Sequence, residues 1–214
     1  MTTARSLRAL LSVSALAVLT LVPAAAAASP DAEEDALRIS GAGHALKWNW
    51  TPPGKSDRFG HGEVLVNAPY DKVRVKILDF AHYKDLAPAR FTRSRVVGHE
   101  SGGTDVYMQF SAMHGLVSLW NILHFGQPTP AGDGNERLEG TFVRGNISDA
   151  DVIWTIKRVD DDFTVIKCDI LLKPDIPAPQ SALDEELRDA AQQAVDGVRE
   201  HAQGNNRNVR WVKE

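Results

Sequence analysis

A chain of 214 residues that is 43% apolar and 24% charged carries a formal net charge of −4. That balance suits a water-soluble domain with one ordinary core, and it lacks the concentrated Lys and Arg that nucleic acid or an anionic membrane requires. The single cysteine, Cys168, excludes an internal disulfide, so the core alone must hold the fold.

The first 28 residues have the three-part order of an export signal. Arg5 and Arg8 form a positive start, Ala9 to Val22 an apolar run, and Pro23 with Ala24 to Ala28 a small-residue region offering several Ala-x-Ala cleavage sites. The run is shorter than the ~20 residues that span a bilayer, so a cleaved signal is expected rather than an anchor, and no transmembrane segment remains after cleavage. A lipid anchor is excluded because Cys168 lies far from any cleavage site. The expected destination is periplasmic or secreted.

Residues 29–58 read as an acidic leader and linker. Asp31, Glu33, Glu34 and Asp35 come with little apolar content, which predicts a solvated stretch without packing partners. Trp48 and Trp50, two apart, either pack one side of an extended segment on the body or stand at the mouth of a ligand site; packing is the commoner use of Trp.

Regular patterning begins at Glu63. Glu63 to Asn67 reads as a strand, and Pro69 with Asp71 opens a helix in which Val73, Ile77 and Phe80 recur at spacings of four and three, bounded by Pro88. Phe91 to His99 and Thr104 to Met113 form a hairpin around Ser101-Gly102-Gly103. Leu116 to Phe125 is a nearly continuous apolar run, hence a buried strand. Arg137 to Asn146 and Val152 to Val159 follow as strands separated by Ser148-Asp149-Ala150, and Phe163 to Leu172 is the last, after a turn at Asp160-Asp161-Asp162. In that strand Thr164, Ile166, Cys168, Ile170 and Leu172 alternate with Lys167, Asp169 and Lys173, so one face is expected inside and the other wet.

Pro174, Pro177 and Pro179 then forbid regular pairing. Ser181 is placed to cap a helix of about 22 residues whose first turn is acidic. Leu183, Leu187, Ala190, Ala191, Ala194 and Val198 fall on one stripe, and Gly204 ends it. Gly197, which costs about 1 kcal/mol against Ala in a helix interior, predicts that something approaches the helix closely there. One helix covers the apolar face of a single antiparallel sheet only if the sheet curls around it. The fold class is therefore α+β, a curved antiparallel sheet of six to seven strands around a long C-terminal helix.

This order resembles the START-like superfamily, also called SRPBCC, which includes polyketide cyclase/dehydrase and lipid-transport proteins and the birch-pollen-allergen fold. The resemblance rests on Val64-Leu65-Val66-Asn67-Ala68-Pro69 with Val73, on Leu78-Asp79-Phe80 leading to Tyr83 and Pro88, on the Gly102-Gly103 hairpin, and on Pro177-Ala178-Pro179 before the final helix. It covers Phe59 to Gly204, leaving 205–214 as a tail. It implies a helix-grip domain with a mostly apolar cavity between sheet and helix, and a lipid, quinone or aromatic compound as partner.

Strand parity nominates the walls of such a cavity: Phe142, Trp154, Ile156, Ile166 and Ile170 opposite Leu187, Ala191 and Ala194, with Tyr107 and Trp120 on neighbouring strands. Arg144 and Asn146 share the parity of Phe142 and are expected to point inward. There Arg144 needs an internal acid or a ligand oxygen, because an unpaired buried charge costs several kcal/mol. Taken singly, each of these apolar residues is more often plain core. His114 and His124 read first as satisfied strand-end histidines.

No recognised catalytic, metal or cofactor motif occurs: there is no H-E-x-x-H, Cys pair, phosphate loop, G-x-G-x-x-G or Gly-x-Ser-x-Gly. The leading expectation is an exported binding protein for a hydrophobic small molecule. The alternatives are a cyclase-like enzyme using Arg144, Tyr107 or His114, and a cavity-free envelope interaction domain in which Trp154 and Phe142 fill the space beneath the Ala190 to Ala194 stripe.

Overall fold

A computed structural model describes residues 30–88, 90–112 and 117–204. The expected signal and C-terminal tail, with His114, lie outside the described residues. Helix α1 (Pro30–Ala42) leads into strands β1 (Leu46–Trp50) and β2 (Phe59–Val66), then α2 (Tyr70–Leu78), a 3-10 turn (Phe80–His82) and α3 (Tyr83–Leu86). Strands β3 (Phe91–Gly98), β4 (Thr104–Ala112), β5 (Val117–Phe125), β6 (Thr129–Pro130), β7 (Glu136–Gly145), β8 (Ile147–Arg158) and β9 (Thr164–Pro174) precede the 24-residue α4 (Gln180–Gln203). All strands join one antiparallel sheet ordered β1-β2-β9-β8-β7-β5-β4-β3, with β6 beside β7. The expected helix-grip architecture is present, with nine strands rather than six or seven.

Helix α4 lies on the inner face of β2, where the sequence has removed the side chains that would hold it off. A Cβ on Gly60 would stand 2.1 Å from the carbonyl carbon of Leu187, and one on Gly62 2.6 Å from that of Ala191. Backbone therefore rests on backbone. Gly197 performs the same service at the far end, since a Cβ there would stand 1.9 Å from the Leu86 carbonyl oxygen, which is the close approach its cost implied. Val64, Val66, Ile166, Cys168, Trp154 and Val198 complete a buried core between sheet, α2 and α4.

Three expectations need correction. The stretch Ser29 to Ser40 is not a leader without partners: α1 packs on the outer face of the sheet through Ala32, Ala36 and Ile39, against Val159, Phe163 and Val165. Their spacing of four and three is an apolar stripe hidden among the acids. Those acids are matched by distant cations. Asp35 accepts from Lys157 at 2.7 Å and lies 2.5 Å from Lys167, while Arg38 binds both Asp35 and Glu63. The outer face is therefore wet only in part, and Lys157 and Asp169 on it are buried.

The second correction concerns the β7–β8 corner. Ser148-Asp149-Ala150 lies within β8, and Asn146 alone separates the two strands. Its side chain accepts from the Trp120 N–H at 2.7 Å and donates to the Ser118 carbonyl at 3.0 Å, tying the corner to β5. Third, β1 extends the sheet. Trp48 stacks on His61 with ring centroids 4.2 Å apart, and Trp50 Nε1 donates to Asp169 at 2.5 Å. Both tryptophans pack on the outer face, away from α4, because Trp48 pairs with His61 and Lys47 with Gly62.

Candidate functional site

Directly paired residues of adjacent strands share a face. The pairs Leu123 with Phe142, Gly140 with Val152, and Val152 with Ile170 carry the inner face from β5 to β9. Its floor is closed: Trp154, Ile156 and Ile166 are at most 2% exposed. Beyond the floor Phe142, Val152, Ile170 and Leu172 still pack on the core, yet each is only half-buried, and Phe91, Phe110 and Val117 repeat the pattern on β3 to β5. Half-buried Leu183 and Ala190, seven apart on α4, share one side of the helix. The result is a strip of apolar surface on the inner face of the sheet that the core covers only in part. The first half of α4 is fixed on both flanks, by Lys47 to Asp189 at 2.6 Å and Arg58 to Asp184 at 3.1 Å on one side, and by Arg90 to Gln193 at 2.9 Å and to Glu186 on the other.

One buried polar atom in this region has no partner among the described residues. Asn121 lies on the inner face between Met108 and Gly145, is 2% exposed, and its Oδ1 accepts no hydrogen bond. Trp154 Nε1, in the floor, is turned to the Tyr83 hydroxyl. A buried polar atom left unsatisfied costs about 1–3 kcal/mol, a cost removed when a ligand atom supplies the partner. Sequence reasoning passed over Asn121, although Leu119, Leu123 and Phe125 around it mark its position as inward. Burial also pushes the thiol of Cys168 and the phenol of Tyr83 well up; Tyr83 donates to the Ile77 carbonyl at 2.6 Å. Neither ionises in the neutral range.

Of the nominated wall residues, Phe142 and Ile170 are half-buried on the inner face, and Trp154, Ile156, Ile166 and Ala194 are buried core. Leu187 and Ala191 are buried where α4 meets Gly60 and Gly62. Tyr107, Trp120 and Arg144 are on the opposite face. Tyr107 pairs with Ile122 and Trp120 with Gln109, one residue out of phase with the inward Leu123 and Met108. Arg144 is turned outward by a β-bulge: Leu123 pairs with Phe142 but Ile122 with Arg144, so Val143 is the extra residue and parity reverses there. Arg144 is exposed, needs no internal partner, and Asn146 is exposed too. His124 sits on the outer face beside Asp105, 2.7 Å away, as a strand-end histidine should. Among the described residues no cluster of three His, Cys, Asp or Glu is arranged to hold a metal, and no helix is long and apolar enough to cross a membrane.

Solved structures share this arrangement of sheet and helix. A STAR-related lipid transfer protein from Xanthomonas axonopodis superposes with a TM-score of 0.61 at 19% identity, over 74% of this chain and 93% of its own. The fold is START-like. The human StarD13 lipid transfer and protein localization domain shares the START-like fold with a TM-score of 0.58 at 13% identity, over 80% and 96% of the two chains. BexL, a di-domain ARO/CYC protein of the BE-7585A biosynthetic pathway, does so with a TM-score of 0.52 at 12% identity, over 69% of this chain and 47% of its own. No family model and no curated protein matches the chain.

Proposed function

We propose that the protein is an exported carrier that holds a hydrophobic small molecule, of the lipid, quinone or aromatic class, in a groove between sheet and α4. The observation that carries this reading is the inward, half-buried row Phe142, Val152, Ile170 and Leu172, apolar surface that the fold orients toward its core and leaves partly uncovered. Asn121 adds a condition: the ligand presents a hydrogen-bond donor, such as a hydroxyl, to the amide oxygen, with its apolar body along the row. Covering ~300 Å² of such a ligand at about 25 cal/mol per Å² contributes on the order of 7 kcal/mol before association costs, enough for micromolar binding. The lipid-transfer names of the structural neighbours support the ligand class, and the Arg5 to Ala28 pattern supports export.

Of the residues the cyclase alternative would use, Arg144 and Tyr107 stand on the other face and His114 lies outside the described residues, so the described site lends it no support. Native mass spectrometry of protein recovered from an exporting host tests the carrier reading. A co-purifying apolar molecule is expected, and Ile170→Trp, which fills the groove, should reduce its occupancy at least tenfold with the fold intact. A chain that carries nothing and shows no shift in melting temperature across a panel of lipids, quinones and aromatics would count decisively against it. Amino-terminal sequencing of the same material should begin after the Ala24 to Ala28 region.

A further inference from the structure

The outer face of β3, β4, β5 and β7 carries a feature that the net charge conceals. Register places Arg95, Tyr107, Ile122 and Arg144 in one row across four strands, and Arg93, Gln109 and Trp120 in the next. Arg95 lies over the Tyr107 ring at 5.2 Å, and Tyr107 stacks on Trp120 with centroids 5.8 Å apart. Arg93, Arg95 and Arg144 are exposed, and none forms an ion pair with a described residue. The contrast with Arg38, Lys47, Lys55, Arg74, Arg90, Lys157 and Lys173, each of which meets a carboxylate, is local and clear. Three arginines scattered in sequence become one cationic field about 14 Å across, from three strand spacings.

We propose that this face docks the protein on an anionic phospholipid bilayer. Charge complementarity calls for an anionic occupant, and the character of the patch selects a bilayer over an acidic protein. A protein interface needs an apolar centre that desolvates completely. Here Ile122 is already buried at 6% exposure, and both faces of Tyr107 are taken, by Arg95 and Trp120. What remains is guanidinium, suited to bidentate phosphate contact, beside indole and phenol rings that favour the headgroup level. The row lies toward the β7–β8 corner, the end of the sheet that carries Phe142 and Leu172, so docking would bring that end of the inner apolar row near the lipid. The inference does not rest on the carrier reading, since docking needs no bound ligand.

The test is co-sedimentation of the full chain with phosphatidylcholine vesicles, with and without 30 mol% phosphatidylglycerol, at low and high salt. Binding common to neutral vesicles reports the apolar Ala9 to Val22 run where it is retained and is subtracted. The expected result is an added affinity for anionic vesicles that high salt removes. It should fall tenfold or more in the R93Q/R95Q/R144Q triple variant and little in K72Q/K76Q/K84Q, which removes equal charge from α2 and α3. Brominated lipid should quench wild-type and W48F fluorescence and quench W120F less; this arm stands even if the triple variant unfolds. Equal losses in the two triple variants, no preference for anionic vesicles, or capture by polyglutamate with vesicles ignored would each overturn the proposal, the last in favour of an acidic protein.

Discussion

Asp35, Glu63 and His61 form a charged cluster on the outer face, and each titrates against its own burial. Burial opposes ionisation of Asp35, but hydrogen bonds from Lys157, Lys167 and Arg38 outweigh it and hold the carboxyl at about 2. Burial likewise opposes Glu63, and Arg38 with His61 lowers it to about 2. Both acids are below their ordinary values of 3.8 and 4.5, so their stabilisation is complete above those values and is lost as pH falls toward 2. His61 has the opposite sign. Burial lowers its affinity for a proton, while Asp169, 2.7 Å from Nδ1, and Glu63, 3.6 Å from Nε2, raise it above the ordinary 6.5. Trp48 and Trp50, the other rings packed on it, are neutral. Its contribution is present below 6.5 and lost as pH rises through the raised value. Thermal melts across pH should therefore give a maximum between about pH 5 and 6.5, and His61→Gln should flatten the alkaline limb and weaken the acid one only in part, since Arg38 still holds Glu63 down. Glu63→Gln leaves Arg38, Lys167 and His61 facing a neutral amide and should cost about 3 kcal/mol in urea unfolding, where a surface acid costs a few tenths; a loss under 1 kcal/mol would mean the cluster is solvated. The sequence around Asp35 could not disclose this, because its partners Lys157 and Lys167 are more than 120 residues away.

At the scale of elements, α4 depends on two missing side chains. Gly60→Ala should destabilise by about 2 kcal/mol or more, since α4's own backbone occupies the place of the new Cβ and overpacking has no side chain to displace. Gly126→Ala, where nothing lies within 4 Å, should change stability by less than about 0.5 kcal/mol, so equal effects in urea melts would refute the close-contact account. The same comparison explains which parts of the site could be read in advance. Alternation in β9 placed Ile166, Cys168 and Ile170 correctly because seven consecutive pairs to β2 run without a slip. Arg144 was misplaced because the bulge at Val143 is dictated by β5, and a Cβ at Gly145 would meet the Trp120 carbonyl at 2.4 Å. Parity is a local rule, and a bulge answers to a neighbouring strand. Trp120 was misjudged because β5 has apolar residues on both faces, so alternation there carries little information, whereas in β4 the alternation of Val106, Met108 and Phe110 with Asp105, Gln109 and Ser111 itself sets Tyr107 on the outer face.

For the whole molecule, Cys168 is a built-in reporter. It is fully buried between β2 and β8, with Trp154 as its cross-strand partner, and burial suppresses its thiolate. Labelling by a thiol reagent should follow the same urea transition as tryptophan fluorescence and should slow when the groove is occupied; labelling before that transition would show that the sheet opens in parts. The element order and the gripping helix were legible as a whole, because proline and glycine punctuation and the α4 stripe act over short spans. The partly uncovered inner row was not, since it depends on how far α4 stands from the sheet. That separation has its origin at Gly60 and Gly62. With α4 seated there on bare backbone, the contact is a fulcrum for the whole helix. A methyl group at either glycine would lift the helix from β2, so two residues without side chains decide how much of the inner apolar row the helix covers.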